Sequence, residues 1–314
     1  MLGSKTPKER LPTADEMMKA SLIGSYLKNA DIVFGNLEGV FITDGIEPVK
    51  CTEEARKASR CYEFGMPEIF SSFLKSLHFT TLSIDNNHTD DYGEPGYVYT
   101  QILLSDLGIK YVPKAGYATY SINNTSIAFV AFGFTKNSYH IAEVEIAQRV
   151  IRKLNKDYSI IIVSFHGGAE GKDALHVSNK TEMFYNEDRG NLVKFSHAVI
   201  DEGADLIIGH GPHVLRAIEI YKNKLIMYSL GNFFTYGQFN LKEYQGIGAI
   251  MKVELNEKNG NFIKGNITPT IQVGWGIPIY DKQKRAIFII QNLSHQDFPD
   301  SNIKINQNGL FFIK

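Results

Sequence analysis

The chain has 314 residues, 43% of them hydrophobic and 21% charged, with a formal net charge of −1 at pH 7. That length allows one large α/β domain with an ample core. The near-neutral charge gives no global field for nucleic acid or an anionic membrane, and no apolar run approaches the roughly 18 residues of a membrane helix.

In chain order, the start MLGSKTPKERLPTADE turns polar almost at once and has no signal-peptide pattern. No strand precedes the first helical stretch, so Met1-Leu2-Gly3 reads as the tail of a strand whose beginning is absent from this sequence. Residues 14–30 place Met17, Met18, Leu22, Tyr26 and Leu27 at helical spacing. Residues 31–37 read as a buried strand running into Asn36 and Glu38. Residues 43–60 are polar and read as loop. They lead up to Cys61 and contain Cys51; with no other cysteine present, the pair is equally a short disulfide loop of an oxidising compartment or two free thiols.

Pro67 suits a first helical position, with Phe70, Phe73, Leu74 and Leu77 down one face. Residues 79–84 form the next predicted strand, followed by Asp85-Asn86-Asn87-His88. A helix from Pro95 carries Val98, Tyr99, Ile102, Leu103 and Leu107 and stops at Gly108. Short strands at 111–112 and 119–122 precede a turn at Asn123-Asn124 into 127–132. A helix over 141–154 is followed by a strongly apolar strand at 159–165 and then His166-Gly167-Gly168-Ala169-Glu170. Asn186 is placed to cap a helix that ends at Gly203. Strand 206–208 stops at Gly209, with His210 and His213 on the Gly/Pro loop beyond it. A hairpin turning at Lys222-Asn223 then delivers Ser229, Gly231 and Asn232 to another loop. Later stretches at 246–255, 262–273 and 286–290 read as strands, and Asn308-Gly309 as a hairpin turn. Without repeats or a linker, residues 1–314 read as one domain, alternating β and α first and mostly β from about 246.

Four predicted strands each end in a polar cluster: Asn36 with Glu38; Asn87 and His88 with Asp91; His166 with Glu170; and His210 with His213. The repetition points to one shared site at a sheet edge, where open α/β sheets place ligands. Neutral imidazole, carboxylate and amide oxygen, with no thiolate, suit Mn, Fe, Zn or Mg. A histidine beside such a site suits proton transfer.

These residues resemble a known family. N-N-H-x-x-D-Y-G from Asn86, H-x-G-x-E from His166, G-H-x-P-H-V from Gly209, E-x-Y…Y-S-L-G-N-F from Glu219 and G-N-L-E-G from Gly35 are similar, in order, to the signature blocks of CapA-type poly-γ-glutamate capsule synthesis proteins. The resemblance implies a calcineurin-like metallophosphoesterase fold, a four-layer α/β/β/α sandwich, here expected to lack its first strand and that strand's aspartate ligand. It implies one or two divalent ions, with Asn87, His166, His210, His213 and Glu38 as metal ligands. His88, with Asn87 beside it, would be catalytic. Asn36, Asp91, Glu170, Glu219 and Asn232 would support or border the pocket. The segments around Cys51…Cys61 and Asn186–Gly190 resemble one branch of the family, which implies a Cys51–Cys61 disulfide.

The expected function is capsule or cell-envelope polymer synthesis, as a metal-dependent phosphoesterase-like hydrolase acting on a phosphoester or anionic polymer. The alternative is a non-catalytic polymer-binding or scaffold component of a membrane assembly. The full-length protein would be exported or held at the cell envelope. No basic stripe or recognised module points to nucleic acid. His78, His140, His176, His197 and His295 read as ordinary surface or packing residues, although His176 lies close enough in sequence to the His166 loop to approach the pocket. Arg189 and Arg216 read as solvated or salt-bridged, with contact to an anionic substrate the alternative. Trp275 and Tyr236 read as packing residues, with a cleft wall the alternative.

Overall fold

The apolar runs become strands where β-branched residues stack on both faces. In a computed structural model, which describes residues 1–58 and 60–314, Ile160–His166 is buried along its whole length. It lies parallel to Thr125–Phe132 on one side and to Leu206–His210 on the other. Lys224–Met227 extends this parallel set, and Ile218–Tyr221 and Tyr117–Ile122 close its two edges antiparallel. Helices Val144–Leu154 and Leu192–Asp201 supply Ala147, Ile151, Val193, Phe195 and Val199 to a core that also holds Val130, Val163, Phe165 and Ile207. Continuous burial of β-branched strands is what a mostly parallel sheet requires.

A separate three-stranded parallel sheet joins Phe34–Asn36, Thr81–Ser83 and Lys110–Val112, in that order. A short parallel pair, Val40–Ile42 with Gly65–Pro67, lies nearby in sequence. An antiparallel sheet later in the chain pairs Ile247–Leu255 with Phe262–Val273, which pairs with Leu310–Ile313, which in turn pairs with Ile303–Ile305. The contacts group into two compact units. One comprises residues 1–112, 234–240 and 272–279; the other comprises 113–233, 241–271 and 280–314.

Several local expectations are corrected. Residues 286–290 belong to a helix, Arg285–Asp297, not a strand. Its buried residues Ala286, Ile287, Ile290, Leu293 and Ser294 show the helical period that a five-residue apolar window hides. Asp281 anchors its start by accepting from the Arg285 N–H and pairing with the Arg285 guanidinium at 2.9 Å. The helix expected from Asn186 begins at Leu192, with Asn191 as its cap. Asn186 instead takes a left-handed φ of 64° beside Tyr185 at 47°, turning a small hairpin between Met183–Phe184 and Glu187–Asp188. The polar segment read as loop contains a short helix, Glu53–Lys57, capped by Thr52. Pro67 closes a strand and precedes a 3₁₀ turn, so the helix begins at Ser71. The first helix, Ala14–Ser21, opens with a capping box between Thr13 and Glu16 and passes into a 3₁₀ segment, Leu22–Tyr26.

Candidate functional site

The four polar clusters do follow strand ends, but not on one sheet. Phe34–Asn36 and Thr81–Ser83 are neighbours in the three-stranded sheet, and Ile160–His166 and Leu206–His210 are neighbours in the six-stranded one. The expectation of a single sheet edge is corrected accordingly, because residues 113–122 carry the chain from one sheet to the start of the next.

In the first unit, the loop after Thr81–Ser83 is stitched by Asn86. Its amide donates to Asn36 Oδ1 at 3.1 Å and to the Leu37 carbonyl at 2.9 Å, and its Oδ1 accepts from the His88 N–H at 3.0 Å. Asn36 and Glu38 therefore share one small region with Asn86 to His88; Asn36 Nδ2 also lies 3.5 Å from Glu38 Oε2. The side-chain oxygen of Asn87 is buried and accepts no hydrogen bond among the described residues. A buried amide oxygen left in that state is costly unless a ligand completes it.

His88 Nδ1 lies 2.6 Å from Asp91 Oδ2. Asp91 is fully buried; it also accepts from the Phe64 N–H at 2.7 Å and pairs with Lys50 at 2.9 Å. With Nδ1–H donated to the carboxylate, Nε2 is the imidazole nitrogen that can meet a substrate. Phe64 stacks on the ring with centroids 4.0 Å apart. Lys50 also donates to the Asn87 carbonyl at 2.9 Å.

Lys50, Phe64 and Asn86 carry no motif signal of their own beyond Asn86's place in the N-N-H block. Lys50 and Phe64 flank Cys51 and Cys61, which form a disulfide with a Cα–Cα distance of 5.8 Å. Buried Glu63 completes this brace, accepting from the Cys51 N–H and the Arg56 guanidinium, each at 2.8 Å. The Tyr92 hydroxyl, 2.8 Å from Thr6 Oγ1, is pushed up to about 12 by burial, with Glu63 and Asp91 adding to the rise and the Thr6 bond opposing it. A phenol raised above its unfolded value of about 10 stabilises the fold fully below pH 10 and loses that contribution as pH rises through about 12. Tyr92→Phe should therefore flatten the fall in stability between pH 10 and 12, measured by urea unfolding at each pH; a slope equal to that of the parent would contradict this.

In the second unit, His166 and His210 occupy paired positions on adjacent parallel strands, so their side chains share one sheet face. The tight turn after His210 depends on Gly211, whose φ is 122° and whose Cα faces the Gly167 carbonyl, leaving no room for a side chain. His213, with φ 59°, directs Nδ1 to Asn232 Oδ1 at 2.9 Å, and Asn232 returns a bond to the His213 carbonyl at 3.2 Å. His213 Nε2 is 3.9 Å from Glu170. Glu170 is held by Arg189 at 2.8 Å, and Arg189 stacks 3.8 Å over Phe134.

Arg189 and Arg216 are both buried and ion-paired rather than solvated. Glu219, buried on Ile218–Tyr221, accepts from the Tyr228 hydroxyl at 2.7 Å and from His197 at 3.0 Å. His176 pairs with Asp297 at 2.7 Å.

Each unit offers donor types that suit a divalent ion: in the second, the His213 imidazole held through Nδ1 by Asn232, with His166 and His210 nearby in the same sheet; in the first, a buried amide oxygen at Asn87 that accepts no hydrogen bond among the described residues. Among the described residues, no three His, Cys, Asp or Glu side chains form a ready-made metal cluster. No helix among the described residues is long and apolar enough to cross a membrane.

The model of the family described as "Bacterial capsule synthesis protein PGA_cap" matches residues 7–236. The PGA biosynthesis protein CapA of Bacillus subtilis (strain 168) is 28% identical over 265 residues, covering 73% of this chain and 66% of that protein. The capsule biosynthesis protein CapA of Bacillus anthracis is 28% identical over 267 residues, covering 82% of this chain and 62% of that protein. The match thus spans just under two thirds of each relative's length. A solved structure of a Staphylococcus aureus protein assigned as a 5′-nucleotidase, in complex with α-ketoglutarate, superposes with a TM-score of 0.50 at 14% identity. It covers 92% of this chain and 54% of that one, and shows a shared α/β fold.

Proposed function

The chain belongs to the bacterial capsule synthesis protein family PGA_cap, and from that premise we propose that it is a divalent-metal-dependent hydrolase of phosphoester type working in cell-envelope polymer synthesis. The observation that carries this reading is the buried His88–Asp91 pair beside an Asn87 oxygen that accepts no hydrogen bond among the described residues. The proposed metal donors are Asn87 and Glu38 in the first unit and His166, His210 and His213 in the second, and the four-layer α/β/β/α arrangement belongs to the same proposal. One or two divalent ions would supply Lewis-acid polarisation of a phosphoryl oxygen and an acidified water.

The chain's own residues do the rest. Asp91 fixes the imidazole so that His88 Nε2 can hold a proton for the leaving oxygen. Lys50 and the Phe64 N–H keep the Asp91 carboxylate in place, so the pair does not reorganise as charge develops. Asn232 sets the ring of His213 through Nδ1, with Glu170 3.9 Å from Nε2. The Cys51–Cys61 disulfide supports an oxidising location, exported or at the cell envelope.

Hydrolysis of p-nitrophenyl phosphate and its diester in the presence of Mn²⁺ tests the reading. His88→Ala should cut turnover by about 10²–10⁴-fold. Absence of hydrolysis in parent and variant alike, across Mn²⁺, Zn²⁺, Fe²⁺ and Mg²⁺, would favour a polymer-binding scaffold instead.

A further inference from the structure

Trp275, the chain's one tryptophan, stands 49% exposed on a Gly-Trp-Gly turn. Gly274 and Gly276 have φ of 60° and 126°, conformations that lift the indole on a tight loop. The Arg10 guanidinium lies 4.3 Å over the ring. A stack that served only to fasten the arm would gain from covering the indole, yet half of it remains in water.

Arg10 ends an arm closed by paired backbone bonds between Ser4 and Arg10. The arm carries exposed Lys5 and Lys8, with Glu9 its one carboxylate. Residues 236–239 run beside it. The Gly237 N–H donates to the Trp275 carbonyl at 2.6 Å, and Gln238 donates to the Lys8 carbonyl at 2.8 Å. Any side chain at Gly237 would collide with Arg10. Tyr236 pins the strip from below through Glu16 at 2.7 Å. Phe239 then lies 5.5 Å from Phe64, whose ring is the one stacked on His88. All of these residues belong to the first unit.

We propose that this strip, from Trp275 and Arg10 to Phe239, which lies beside the buried Phe64 ring, is a docking track for a polymer of repeating carboxylates. Lys5, Lys8 and Arg10 meet the carboxylates, Arg10 doing so while its flat face rests on the indole. The polymer's methylene segments lie on the uncovered part of Trp275. The proposal rests on the capsule-polymer reading above.

Because Trp275 is the sole tryptophan, its emission reports the track directly. The full chain is titrated with poly-γ-glutamate oligomer, with monomeric glutamate and neutral dextran as controls, while calorimetry follows binding in parallel. The track predicts a saturable emission change with the oligomer alone. It also predicts that affinity falls about five- to tenfold in Lys8→Gln/Arg10→Gln and as salt shortens the screening length below about 10 Å. Arg10→Lys should lose less, and circular dichroism confirms that each variant is folded. Calorimetric binding with unchanged emission would overturn the track and leave the capsule-polymer reading standing. Absence of binding by both measures would overturn the track and the polymer substrate together, leaving phosphoester hydrolysis to be judged by the nitrophenyl assay.

Discussion

Arg216→Met should destabilise the protein by about 3–5 kcal/mol, the usual cost of stripping one partner from a buried ion pair. Arg216 is 1% exposed. It meets both oxygens of Glu182 at 2.9 Å and also donates to the carbonyls of Ala174 at 2.6 Å and Ala169 at 3.2 Å. Glu182 in turn accepts from the Ala169 N–H at 2.7 Å. The pair therefore clamps the loop after His166, and the loop places Glu170 beside His213. Methionine matches much of the stem's volume but leaves the Glu182 carboxylate, 13% exposed, without its cation. Urea unfolding followed by near-ultraviolet circular dichroism reads the loss. Glu182→Met added to Arg216→Met should recover part of it, since the stranded charge is then gone; a loss below about 1 kcal/mol in the single variant would show that the loop does not depend on the clamp.

Asp91→Ala should produce the second large effect, about 3–4 kcal/mol, accompanied by a drop in turnover of about 10–100-fold. The substitution leaves the buried Phe64 N–H without its acceptor, Lys50 without its carboxylate and His88 free to rotate. The conservative Asp91→Asn keeps the shape and one acceptor, so it should retain more stability than Asp91→Ala. Its amide cannot hold the imidazolium that forms as His88 cycles, so it should lose comparable activity. Equal activity in Asp91→Asn and the parent, measured on the nitrophenyl substrates, would remove Asp91 from the proton-handling machinery.

Much of this was legible in the sequence where a side chain's neighbours are local. The apolar run at residues 159–165 reads as a buried strand and forms one, Ile160–His166, and Lys222-Asn223 forms the predicted turn, with φ of 49° and 63°. His166 and His210, read from the sequence as following two buried strands, end neighbouring parallel strands in the structure. Membership of the capsule synthesis family, read from five short blocks in order, agrees with the match over residues 7–236.

What stayed hidden is long-range. Lys50 and Phe64 reach Asp91 across 41 and 27 residues of chain, and neither separation leaves a periodic trace. Asn186 and Asn191 are chemically equivalent caps, and only the pairing of residues 183–184 with 187–188 decides between them. Residues 286–290 have the composition of a strand, and the helix is settled by Leu293 and Ser294 beyond the window together with Asp281 before it. Arg189 and Arg216 read as solvated or salt-bridged, and only the folded loop decides for the ion pair by supplying Glu170 and Glu182 as partners.

The most direct measurement is divalent-metal content of the purified chain, by elemental analysis after dialysis, for the parent and for His210→Ala. Metal-dependent hydrolysis requires about one or two ions per chain in the parent and a clear fall in His210→Ala, with circular dichroism unchanged. A parent that holds no divalent ion, even after exposure to Mn²⁺, Zn²⁺ and Fe²⁺, would contradict it and leave the chain as a binding component of capsule synthesis.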